Sequence, residues 1–156
     1  MLIKLSQNKR AIIDDDDSAI VSRYHWTAVR HGDRWYAASF RKNAGGKRQT
    51  VYMHRVVHSA PKGLDVDHIN MDGLDNRRCN LRIATRSLNM ANSRERGGRS
   101  RYKGVSWSKH ANKWRAAIQN GKMKNLGYFN TEIEAARAYD VAAKMVFGEF
   151  ARLNCP

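Results

Sequence analysis

The chain has 156 residues; 29 are Lys or Arg and 14 are Asp or Glu, a formal net charge of +15. Its length suits one ordinary domain or two small ones, and an apolar share of 42% supplies a core and excludes wholesale disorder. No apolar run reaches the roughly 18 residues of a membrane span, no secretory signal follows Met1, and Cys79 and Cys155 are too few for a disulfide framework or a four-thiolate zinc site.

Leu2 to Ile13 alternates like a strand and ends at the run Asp14–Asp17. Four aspartates could form a metal cluster, but a short helix over Ala19–His25 follows, so a turn and helix start is the preferred reading. Trp26–Val29, Arg34–Arg41 and Gln49–Met53 read as strands, with a turn at Asn43–Lys47 and a short link at Val56–Val57. Ser93–Arg101 has no apolar residue and reads as a basic linker. Tyr102–Trp107 is the next strand. In Lys113–Gln119, Trp114, Ala116 and Ile118 share one face while Lys113, Arg115 and Gln119 share the other. Asn120-Gly121 predicts a type I′ hairpin turn, and the returning strand Lys122–Leu126 alternates imperfectly. Thr131 and Glu134 predict a capping box, with Ala135, Tyr139, Ala142 and Val146 as the buried stripe and Gly148 at the end. The fold class is α+β: N-terminal strands over 1–92, the linker at 93–101, then a three-stranded antiparallel sheet on one helix over 102–156.

The charge is segregated. Residues 94–126 alone carry ten basic groups and one acidic group, against three and four in residues 127–156. A solvated face would mix the signs, so the excess points to a binding surface for a polyanionic partner, with nucleic acid the leading candidate. The sheet's helix-free face is expected to enter a major groove. Lys103, Arg115 and Lys122 would supply charge there, and Trp107, Gln119 and Asn125 contacts to base edges or sugars; Arg99 and Arg101 lie just ahead. An RNA-binding basic protein is a further reading.

Tyr102-Lys-Gly-Val, Lys113-Trp-Arg-Ala-Ala-Ile, Leu126-Gly-Tyr-Phe-Asn-Thr, Glu134-Ala-Ala-Arg-Ala-Tyr-Asp and Leu153-Asn154 occur in order. Together they resemble the AP2/ERF DNA-binding domain over about residues 100–156. Ser106 and Asn125 stand where that family usually has Arg and Trp, so its target sequence does not carry over.

Residues 64–92 hold the sharper chemistry. Hydrolysis of a phosphodiester needs a base for water, which an imidazole of ordinary pKa near 6.5 suits. It also needs positive charge at the phosphate, which Mg²⁺ on Asp67 and an Asn amide oxygen would provide. Adjacent strand residues point oppositely, so Asp67 and His68 share a phosphate only where the strand ends or twists. Asp67-His68-Ile-Asn, then Asn76-Arg-Arg-Cys-Asn80-Leu-Arg and Asn89 resemble the HNH endonuclease motif of the ββα-metal class in its His-Asn-Asn form. His68 precedes Asn80 by 11 intervening residues, and Asn89 follows after 8 more. The resemblance implies His68 as general base, Asn80 as the residue that pins the loop and orients it, and Asp67 and Asn89 as ligands of one Mg²⁺, with Mn²⁺ as a substitute. It further implies a phage-type homing endonuclease acting on double-stranded DNA in the cytoplasm of a bacterial host, without structural zinc. One such site cuts one strand: a monomer nicks and a dimer cuts both. Arg77, Arg78 and Arg82 are expected near phosphates, with one or two left in solvent. Asn76 reads as a turn former, His54 and Arg55 as either structural or phosphate-facing, and the remaining histidines as surface or packing residues. The alternative is a DNA-binding regulator with an inactive nuclease module.

Overall fold

The computed structural model describes residues 1–93 and 99–155; residues 94–98 of the expected linker and Pro156 lie outside the described residues. The chain forms two compact units, Met1–Thr85 and Arg86–Pro156. Both belong to the α+β class, with small antiparallel sheets and few helices. Among the described residues no helix is long and apolar enough to cross a membrane.

The first unit opens with a hairpin, β1 (Leu2–Lys4) against β2 (Arg10–Ile12). The single strand expected over Leu2–Ile13 is broken because Gln7 and Asn8 take left-handed backbone angles, φ 56° and 57°. A 3₁₀ turn over Asp15–Asp17 leads into α1 (Ser18–Val21), shorter than expected. The strands β3 (Thr27–His31), β4 (Arg34–Lys42) and β5 (Arg48–Tyr52) form a meander. Asn43 closes the β4–β5 turn by accepting the N–H groups of Gly45 and Lys47 on its Oδ1. Next come α2 (Met53–His58) and the antiparallel pair β6 (Asp65–His68) and β7 (Leu81–Ala84). Ala11, Ile13, Val21, Met53, Val57, Val66 and Leu81 close the core. The β6–β7 loop is tied to β2: Ile12 N–H donates to Leu74 O at 2.8 Å and Asn76 N–H to Ile12 O at 2.7 Å.

In the second unit, β8 (Val105–Ser108), β9 (Lys113–Asn120) and β10 (Lys122–Phe129) form a sheet with β9 central, and α4 (Glu132–Phe147) covers one face. The β9–β10 hairpin is present, but only Gly121 has positive φ, so the turn is not type I′. The register shifts between Asn125 and Gly127, and that bulge turns Leu126 toward the helix-side core while Met123 stays exposed. This explains the imperfect alternation. The capping box forms as expected. The buried stripe of α4 is rotated from the expected one: Ala135, Ala136, Tyr139, Asp140, Ala143 and Phe147 face inward, and Val146 is exposed. Buried Asp140 accepts the N–H groups of Asn154 and Cys155, which anchors the C-terminal tail.

The helix α3 (Arg86–Ala91) packs in this second unit. Leu88 and Ala91 join the apolar cluster of Ile118, Tyr139 and Phe147, and Ser87 Oγ donates to Asn120. β8 pairs only with residues Lys113–Ala116 of β9, so the rest of the β9 edge has no strand beside it from β8. Gly104 bonds there through its carbonyl to Ala117 N–H at 2.8 Å. It has φ +74°, and a Cβ would collide with the Tyr139 ring and lie 2.7 Å from Ala117 O. Gly104→Ala should therefore lower the unfolding free energy by about 2 kcal/mol or more, read by urea denaturation; an unchanged midpoint would refute this account of the edge.

Candidate active site and nucleic-acid face

His68 ends β6 with its imidazole buried, 6% exposed. Across the ladder Asp67 faces Arg82 and His68 faces Leu81. Period-two geometry sends the adjacent side chains opposite ways, and they have different partners. Asp67 Oδ2 accepts Arg82 Nε and Nη2, both at 2.9 Å. The His68 ring meets Tyr36 edge-on at 6.0 Å between centroids and His54 at 5.0 Å, and His54 stacks on Tyr52 at 5.4 Å. Its Nε2 lies 3.3 Å from Asn76 Oδ1. Gly73 lets the loop lie against β4: a Cβ there would come 2.5 Å from both Trp35 O and the Tyr36 ring.

Asn80 braces that loop with one side chain. Its Oδ1 accepts Asn70 N–H at 3.0 Å, and its Nδ2 donates to Asn70 Oδ1 at 3.0 Å and to Asp75 O at 2.8 Å. Its carbonyl also accepts Ile69 N–H. Asn76 is fully buried and touches His68, a contact its turn-forming character concealed. His54 also belongs to this wall; its Nδ1 is buried without a hydrogen-bond partner. The cue available beforehand was the clustering of Tyr36, Tyr52 and His54 on strands flanking the motif.

Burial pushes His54 down to about 3, with the positive charges of His68 and Arg55 adding to it. His68 is also held below the ordinary imidazole value, chiefly by burial; the Asn76 bond and the carboxylates of Asp67, Asp72 and Asp75 pull the other way.

The three arginines expected at phosphates are ion-paired. Arg77 grips Asp75 through Nε at 2.8 Å and Nη2 at 2.7 Å, which holds the Asp75 carboxyl below its usual range. Arg78 grips Asp17, and its backbone N–H donates to Asp14. The aspartate run thus serves as a brace and helix start, and Asp15 pairs with the N-terminal ammonium. Asp17, Asp67 and Asp75 are nearly buried and require such partners. Arg77 and Arg78 remain 46% and 59% exposed, so their outer edges can still meet an anion, whereas Arg82 is 13% exposed.

Asn89 sits half-buried on α3, in the second unit. On the helix-free face of the sheet, register groups Arg115 with Ser106 and Tyr128, and also places Gln119, Asn125 and Met123 there. Arg115 donates to Asn125 Oδ1 at 3.3 Å. Tyr128, 47% exposed, belongs to this set although its sequence position gave no sign of it. Trp107 pairs with Trp114 on the other face, and Lys122 alternates away from Met123 at the hairpin tip. Lys103 donates through Nζ to the carbonyls of Met90 (2.9 Å), Ala91 (2.5 Å) and Ser93 (3.1 Å), capping the end of α3. The Arg99 guanidinium lies over Trp107 and that of Arg101 over Tyr102.

The donors named for a metal are one carboxylate and one amide oxygen, which fit a hard divalent cation. Among the described residues no group of three or more His, Cys, Asp and Glu is placed to hold a metal.

Residues 51–91 match the family described as HNH endonuclease, and residues 100–149 match the AP2 domain. An uncharacterized HNH endonuclease of Acanthamoeba polyphaga mimivirus is 31% identical over 144 residues, covering 92% of this chain and 74% of that protein. An ethylene-responsive transcription factor of Arabidopsis thaliana is 44% identical over 68 residues, 41% of this chain and 37% of that protein. A dehydration-responsive element-binding protein of the same plant is 45% identical over 58 residues, 35% of this chain and 17% of that protein. The chain belongs to the HNH endonuclease family: it is a nuclease that carries an AP2 domain.

Two stability outcomes follow from the site's geometry. Asn80→Ala strands Asn70 N–H and Asp75 O and should cost about 2 kcal/mol or more in urea denaturation. Unfolded His54 titrates near 6.5 and folded His54 near 3, so between those values the unfolded chain binds more protons. Stability therefore falls as pH drops through that window, by up to about 1.4 kcal/mol per pH unit from His54. His54→Phe should remove that share of the slope; an identical slope would contradict the assignment.

Proposed function

We propose that this nuclease hydrolyses phosphodiester bonds in duplex DNA in a metal-dependent reaction, with the AP2 domain holding the duplex. The observation that carries the reading is His68: a buried, oriented imidazole on a loop braced by Asn80, at the motif position of the family's base. A divalent ion, Mg²⁺ with Mn²⁺ as a substitute, would be held by the Asp67 carboxylate and the Asn89 amide oxygen and would supply positive charge at the phosphate and departing oxygen.

His68 takes a proton from water, and the water oxygen bonds to phosphorus as the bond to the 3′-oxygen breaks. The products are a 5′-phosphate and a 3′-hydroxyl, the leaving oxygen taking its proton from solvent. Asn80 keeps the loop, and with it the imidazole, in place. The low pKa direction of His68 suits the role, because the ring stays neutral and basic at neutral pH. Arg115, Gln119, Asn125 and Tyr128 face the duplex from the sheet, and the outer edges of Arg77 and Arg78 meet phosphates. The setting we propose is a mobile endonuclease gene of a phage or bacterium, expressed in the host cytoplasm; the mimivirus relative fits a virus-borne gene and goes no further.

Supercoiled plasmid incubated with the protein and Mg²⁺ should be nicked, and chelation should stop the reaction. His68→Ala should slow it by about 10²–10⁴-fold. Duplex binding without any His68-dependent nicking would instead mean a DNA-binding regulator with an inactive nuclease module. If six to eight phosphates are neutralised, log affinity should fall against log salt with a slope of about −5 to −7.

A further inference from the structure

We propose that Met123 recognises the C5 methyl group of a pyrimidine in the major groove, so that the chain distinguishes thymine from uracil and 5-methylcytosine from cytosine. The proposal rests on the reading that the helix-free face of the β8–β10 sheet lies against duplex DNA. Met123 is 63% exposed, and among the described residues it joins neither apolar cluster of the second unit. The bulge between Asn125 and Gly127 draws Leu126 into the core and leaves Met123 outside, with Gln119 directly across the ladder.

Arg115 fixes this side chain. Its Nε donates to Asn125 Oδ1 at 3.3 Å and its Nη2 to the Met123 sulfur at 3.5 Å. Nε and Nη2 form one edge of the planar guanidinium, so that edge is laid along β10 and Nη1 is left over. A methionine turns about three bonds and adapts to many surfaces. Held at its sulfur, Met123 has less freedom to lose on contact.

The surface beside it is concave. A cavity of about 630 Å³, within the size range of ligand sites, is lined by Arg115, Ala117, Gln119 and Met123 from the sheet and by Arg86 and Met90 from α3. Met90 is a second exposed thioether, at 42%. Among the described residues that line the cavity none is acidic, which suits a polyanion. The major-groove edges of the base pairs are donors and acceptors with one exception: the C5 methyl, on thymine or on a methylated cytosine, is apolar. An apolar side chain on a duplex-facing surface has that group to meet. RNA carries uracil, which lacks the methyl, so the contact also favours DNA.

The methyl can be removed with nothing else changed. Duplexes retained by the full-length protein are selected from a random pool, and each thymine of the selected sequence is replaced in turn by deoxyuridine, which keeps the base pair and the phosphates. Binding is read by fluorescence anisotropy. At one thymine, uracil should weaken binding by about three- to fivefold, the worth of one buried methyl group. At the same place 5-methylcytosine paired with guanine should bind more tightly than cytosine by the same factor. Met123→Gln should equalise both comparisons, and Met123→Leu should keep the difference. Because the side chain is exposed, both variants should unfold at the wild-type temperature. Uracil equal to thymine at every position overturns the proposal, and so does a difference that persists in Met123→Gln. A protein that retains no duplex from the pool, or that prefers RNA, sinks the underlying reading of the sheet and the proposal with it.

Discussion

One carboxamide governs the geometry around His68. The β6–β7 loop must leave the sheet immediately after the histidine and return to it, and such a loop has few apolar contacts to hold its shape. Asn80 replaces them with hydrogen bonds to Asn70 and Asp75, two points on the outgoing and returning arms. With the arms clamped, Leu74 and Asn76 can dock on Ile12 of β2. That docking is what carries the Asn76 amide to the ring.

Charge near the motif is arranged by the same need. A chain of net charge +15 suggests arginines free for phosphate, yet Arg77, Arg78 and Arg82 each hold a nearly buried aspartate. Burying a carboxylate is costly unless a fork of donors meets it, and guanidinium supplies that fork. The pairs are therefore structural first. What remains for an anion is the outer edge of Arg77 and Arg78. On the sheet of the second unit Arg115 meets neutral partners instead, Asn125 Oδ1 and the Met123 sulfur.

The second unit shows how a small sheet uses its irregularities. Without the bulge between Asn125 and Gly127, either Leu126 or the exposed face of β10 would be misplaced, because strict alternation cannot serve both. With it, Leu126 reaches the core and Tyr128 joins Arg115 on the helix-free face. The same unit claims α3. The family match to HNH endonuclease runs through residue 91, while Leu88 and Ala91 are buried with Ile118 and Tyr139, and Lys103 caps the helix end. The sequence motif and the packing unit are different divisions of one chain. Motif spacing records which residues do chemistry together, and packing records which surfaces need covering.

This distinction explains what was legible in the residues. The strands Arg34–Arg41 and Lys113–Gln119 and the capped helix were legible because alternation and capping are local. His68 and Asn80 stood out because their spacing is local as well. The hairpin in Leu2–Ile13 was not, because Gln7 and Asn8 adopt positive φ without a glycine to announce it. The buried stripe of α4 was legible at Ala135 and Tyr139, but toward the end of the helix Ala143 and Phe147 are buried and Val146 is exposed, because neighbouring alanines fit either face. Asn76 was the hardest case. Asparagine is common in turns, and Asn76 follows the turn that Asp75 N–H closes on Asp72 O; its contact with the ring exists only because Ile12, far away in sequence, fixes its backbone. The usual local role of a residue type conceals such a long-range contact. Buried amides with every hydrogen-bonding group committed are where such concealment matters most, since in an apolar interior each unmet group is penalised and the partner is specified atom by atom.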